Sequence, residues 1–85
     1  MKKKASPEVK KVILGAVRIQ IEENNPPETK QTYERLLGEG ISPENVCIYL
    51  GQALISEMYY MMREKRLFDR DNFVKLLAKL PNLMD

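Results

Sequence analysis

The sequence predicts an all-α domain, a compact four-helix bundle-like arrangement with a central third helix. Three observations carry this expectation. Apolar residues recur at helical spacing in four segments, and no segment alternates as a half-buried strand does. Short joints containing proline or glycine separate the segments, with no Gly/Ser-rich linker between them. The third segment is apolar almost all round, whereas the others carry one stripe each, so the third needs neighbours on most of its sides.

The first helix is expected from Pro7 to about Asn24. Ser6 suits the N-cap and Pro7 the first helical position. Val9, Val12, Ile13, Ala16, Val17 and Ile21 form the stripe assigned to the core, with Gln20 inside it and Lys10, Lys11, Arg18 and Glu22 outside. The stretch ENNPPE then ends the helix, because Pro26 and Pro27 each push the preceding residue out of helical geometry. Two adjacent prolines are too few for a polyproline ligand, which needs a longer PxxP segment. The stretch reads as a rigid joint. Pro27 opens the second helix, with Glu28 favoured in its first turn. That helix carries Tyr33, Leu36 and Leu37 inward and stops at the GEG of residues 38–40, where glycine readily takes a left-handed conformation.

The third helix begins at Ser42 (cap) and Pro43, with Ile41 and Val46 at the positions of a hydrophobic staple. It runs to about Lys65. On a helical wheel Val46, Tyr49, Leu50, Ala53, Leu54, Tyr60 and Met61 make one apolar side. Cys47, Ile48, Ile55, Met58, Tyr59 and Met62 make much of the other. The fourth helix repeats the device: Asp69 caps, Phe68 and Phe73 hold the staple positions, and Phe73, Leu76, Leu77 and Leu80 share a face before Pro81 stops it. A third helix about 36 Å long is only just covered by second and fourth helices of roughly 18 Å each and the first helix beside them. Surplus apolar surface favours association. Ile55, Met58, Tyr59 and Met62 are therefore the candidate interaction surface; the competing reading has the MYYMM cluster filling the core.

Composition narrows the function classes. Eighty-five residues support one domain, 1–85, here with a basic start at 1–5 and an end at 82–85 expected to fray. Fourteen basic residues against 12 acidic leave a net charge of +2, too small to drive binding to nucleic acid or anionic membrane. No segment has the length and apolarity of a membrane span, and charges interrupt the apolar stretch a signal peptide would need, so a cytoplasmic protein is expected. The single cysteine, Cys47, allows no internal disulfide.

The chain contains no histidine, which removes Ser–His and Cys–His catalysis and the Glu-x-x-His pairs of di-iron bundles. Its four glycines form no phosphate-binding loop. Cys47 on a crowded helix reads as a small hydrophobe. Glu57 falls inside the apolar side of the third helix and is the buried polar candidate, together with Gln20. The expectation is that the two meet and fix helix register; the functional reading is a general acid or metal ligand.

The stretch from ENNPPETKQTYERLLGEGIS to FDRDNFVKLLAKLP resembles a family of small bacterial helical domains of unknown function. The pattern is carried by Asn25, Pro26, Pro27, Glu28, Thr32, Tyr33, Arg35, Leu36 and Gly40. It continues through Gly51, Leu54, Glu57, Phe68, Asp69, Phe73, Leu80 and Pro81. The resemblance implies a bacterial helical domain and brings no activity. Some similar sequences carry histidines early in the long helix, where this chain has Glu44 and Ile48.

The expected function is a non-catalytic protein–protein interaction or scaffolding module whose partner is another protein or a second copy in a homodimer. No enzyme activity, cofactor, metal, membrane or small-molecule ligand is expected. The alternative is a weak nucleic-acid-binding accessory protein using Lys2, Lys3 and Lys4 with Lys10 and Lys11. A third reading is an enzyme subunit using Glu57.

Overall fold

The computed structural model describes residues 7–83, in which four helices and no strand occur: α1 (Pro7–Glu23), α2 (Pro27–Gly38), α3 (Pro43–Glu64) and α4 (Arg70–Lys79). Ser6, Lys2, Lys3 and Lys4 lie outside the described residues, as do Met84 and Asp85. No described helix is long and apolar enough to cross a membrane.

The helix ends follow from local chemistry. Asn24 ends α1 in the left-handed region (φ 53°), a position asparagine tolerates. The joint to α2 is tight and hydrogen-bonded. The Asn25 N–H donates to the Gln20 carbonyl at 3.0 Å, Pro26 is buried, and the Thr29 N–H returns to the Pro26 carbonyl at 3.1 Å. Pro27 opens α2 as expected. Gly40, at φ +90°, makes the turn into α3. The Ser42 and Asp69 side chains accept from the N–H groups of Asn45 and Asn72, each satisfying a helix-start donor. The Phe68 and Phe73 rings meet at 5.3 Å, which closes the staple of α4.

The third helix packs against all three others, and α2 also touches all three, but α1 and α4 do not touch. The core is built from Ile13 and Val17 of α1, Leu36 of α2, Val46, Leu50, Ala53 and Leu54 of α3, and Phe73, Leu76 and Leu77 of α4 with Leu80 after it. Helices α1 and α3 cross at Gly51, where a Cβ would lie 3.1 Å from Ile13 Cγ2; glycine there sets the close approach. Arg35 of α2 reaches the far end of α4 and donates from Nη2 to the carbonyls of Leu77 (3.1 Å) and Leu80 (3.2 Å), placing positive charge at a helix C-terminus. The Asn82 N–H donates to the Lys79 carbonyl at 2.8 Å, and Leu83 packs against the core.

One assignment from the periodicity is corrected and one is extended. Val9 and Val12 are 49% and 69% exposed rather than part of the core. Among the described residues α4 makes no contact with α1 and so does not cover that flank. The inward-facing residues of α2 include Thr29 (0% exposed) and Thr32, which a search for apolar residues passes over.

Candidate docking face

The polar candidates separate. Gln20 does not meet Glu57. The Thr29 hydroxyl donates to Gln20 Oε1 at 3.0 Å, tying α1 to α2 across the proline joint. Glu57 is fully buried, and four donors converge on its carboxylate. Oε2 accepts from Arg66 Nη1 (2.7 Å) and the Asp69 N–H (2.8 Å). Oε1 accepts from Asn72 Nδ2 (2.7 Å) and Arg66 Nη2 (3.2 Å). The hydrogen bonds from the Arg66 fork lead in holding its carboxyl down at about 2; burial opposes them, and Asn72 and the Asp69 N–H add to them. The Arg66 guanidinium is pushed up in return, first by Glu57 and then by Glu64. At neutral pH this carboxylate is ionised and both its oxygens are engaged. It works as a brace joining α3, the 65–69 loop and the first turn of α4.

The helices position Glu57 for this task. Leu50 and Val46, seven and eleven residues before Glu57, share with it the buried side of α3, so the carboxylate emerges where α3 and the start of α4 converge. Lys65, in the left-handed region at φ 53°, ends α3 and turns the chain so that Arg66 folds back along it. The sequence signal for this partner was an arginine beyond the end of a helix that carries a buried acid, and spacing alone did not select Arg66 among the neighbouring bases.

Cys47 is half-buried, and that burial pushes its thiol up against the smaller opposing pull of Arg18. A thiol raised in this way stays protonated at neutral pH and is a poor nucleophile. Among the described residues no group of three His, Cys, Asp or Glu is arranged to hold a metal ion.

The other cluster singled out in the sequence lies together on the outside. Ile55, Met58, Tyr59 and Met62 are 45%, 44%, 55% and 74% exposed. Tyr60 and Met61, in the same cluster, turn inward and are half-buried, so MYYMM divides between core and surface. The outward residues continue onto α1. Val9 and Val12 flank a shallow groove floored by Ile13 and closed by Met58. On the other flank of α1, Leu14 and Lys10 line a second groove with Ile48, Gln52 and Ile55. A third hollow, between α3 and α4, starts again from Ile55 and Tyr59. One apolar face therefore runs across the first turns of α1 and the outer side of α3.

Tyr59 on this face is held by its neighbours. The Arg63 guanidinium carbon lies 5.8 Å from its ring centroid and 5.5 Å from that of Tyr60, and the two rings meet edge-to-face at 6.0 Å. A large aromatic side chain already fixed before binding loses little rotamer entropy on contact. Tyrosine and methionine are both residue types enriched in the cores of protein interfaces.

Comparison with protein-family models, with curated proteins and with solved structures finds no match to this chain.

Proposed function

We propose that this protein is a non-catalytic interaction module that docks another protein chain on the face formed by α1 and α3. The observation that carries this reading is the continuity of exposed apolar side chains from Val9 and Val12 to Ile55, Met58, Tyr59 and Met62. Scattered exposed hydrophobics are ordinary on a soluble domain, whereas exposed apolar side chains that adjoin one another across two helices are the kind of surface another chain covers. The charged alternatives inside the fold point the other way: Glu57 is committed to Arg66, Asp69 and Asn72, and Gln20 to Thr29.

Site-specific photocrosslinking in living cells tests the proposal. A photoreactive phenylalanine analogue replaces Tyr59 in one variant and Gln31, on the exposed surface of α2, in another. Position 59 is expected to give discrete protein adducts and position 31 none. Equal labelling at both positions, or no discrete adduct at position 59, overturns the reading.

A further inference from the structure

We propose that the face pairs with itself: a second copy of the chain lays its α3 antiparallel along the first, with Ile55 at the two-fold axis. This rests on the docking reading and names its partner.

The spacing is the first support. Ile48, Gln52, Ile55, Tyr59 and Met62 follow one another in alternating steps of four and three. That step pattern keeps a seam facing a neighbouring helix over several turns, at a crossing angle of about +20°. Gln52, Ile55, Tyr59 and Met62 are exposed and Ile48 is half-buried, so the fold leaves most of the seam uncovered.

The second support is symmetry. In an antiparallel pair related by a two-fold axis, a residue a given distance before the axis meets the residue the same distance after it. Centred on Ile55, Ile48 lies seven residues before and Met62 seven residues after. Ile48 therefore meets Met62 on both sides of the axis, and Gln52, three residues before it, falls opposite Met58, three residues after.

Charge decides the direction. Beyond Ile48 stands Glu44, in the first turn of α3; beyond Met62 stand the exposed Arg63 and Lys65, while Glu64 is paired with Arg66. Glu44 is eleven residues before Ile55, and the exposed Arg63 and Lys65 stand eight and ten after it. An antiparallel pair lays the acidic end of each helix on the basic end of the other, twice over. A parallel pair would stack base on base. The helix dipoles favour the same choice. A helix from an unrelated protein could use the apolar seam, but it would not require this inversion of charge about Ile55.

The pair is expected to be a reversible dimer.

The full-length chain carrying Cys47→Ser provides the background for the test. At the two-fold of two helices packed about 8–10 Å apart, with Cα atoms about 2.3 Å from each axis, the two Cα atoms come within roughly 3.5–5.5 Å. That separation suits a disulfide. Ile55→Cys is therefore expected to give a covalent dimer on mild oxidation. Ile48→Cys alone and Met62→Cys alone are expected not to link, while an equal mixture of the two does. In sedimentation equilibrium the parent chain is expected at twice its 9.9 kDa mass at high concentration. Glu44→Lys is expected to weaken association about fivefold to tenfold, and adding Lys65→Glu to restore it. Melting curves of each variant confirm that it remains folded. A parent that stays at 9.9 kDa at every concentration, or equal linking at positions 48, 55 and 62, overturns self-pairing. If that monomer still gives adducts with another protein through position 59, only self-pairing fails. If it gives none, the docking reading fails with it.

Discussion

Replacing Glu57 by glutamine is the most demanding test of how this fold is held together. The side chain keeps its size but loses its charge, and one of its two acceptor oxygens becomes a donor. Each oxygen now accepts from two donors, Oε2 from Arg66 and the Asp69 N–H, Oε1 from Arg66 and Asn72. Whichever way the new amide lies, its NH₂ faces two donors at hydrogen-bonding distance. Breaking a buried ion pair by removing one partner costs about 3–5 kcal/mol. A chain of 85 residues has roughly 4–13 kcal/mol of total stability at the usual value per residue. The loss should therefore lower the melting temperature by about 12–40 °C, at roughly 4–8 °C per kcal/mol. Urea unfolding followed by far-ultraviolet circular dichroism measures it directly. The pH dependence is an independent check. A carboxyl lowered from 4.5 unfolded to about 2 folded contributes stability that is fully present above 4.5. That stability, on the order of 3 kcal/mol, is lost as the pH falls through about 2, because the unfolded chain takes up the proton first. The parent should lose this increment in acid, and Glu57→Gln should show a flatter profile over the same range. A Glu57→Gln protein within about 0.5 kcal/mol of the parent at neutral pH would refute the brace, since that is the scatter of ordinary surface substitutions.

Three further outcomes are expected. Gly15→Ala should raise stability by about 0.5–1 kcal/mol, because the helix interior gains propensity and an added Cβ meets nothing within 4 Å; Gly51→Leu should lower it by about 1–3 kcal/mol by forcing α1 off α3, both read from urea midpoints. Thr29→Val should cost about 1 kcal/mol, the worth of its hydrogen bond to Gln20, with the loss removed when Gln20 is also replaced by leucine in a double-mutant cycle. Phe73→Ala should cost about 3–5 kcal/mol, whereas Met62→Ala, 74% exposed, should change the stability of the monomer by less than about 0.5 kcal/mol, as measured by thermal melts at low protein concentration.

Local chemistry by itself determined where the helices begin and end. Prolines at 27 and 43, caps at 42 and 69, the aromatic staple and the stop at Pro81 act over a few residues, and all lie where the turn rules put them. The face of α4 was equally legible, because a short helix with one narrow stripe has one way to bury it. The burial of Glu57 could be read from its place among Val46, Leu50 and Ala53. Its partners could not, since Arg66 and Asn72 reach it only after Lys65 has turned the chain back and α4 has docked. The pairing of Gln20 with Thr29 was hidden for the same reason: it depends on the angle the proline joint imposes. Tertiary structure alone decided which apolar residues remain outside. A helical wheel reports direction around one axis and says nothing about how many neighbours arrive there. On α1 it grouped Val9 and Val12 with Ile13 and Val17, yet the crossing at Gly51 draws only the latter two inward. On α3 it showed apolar residues almost all round, and three helices, two of them never touching, leave the stripe through Ile55, Tyr59 and Met62 in water.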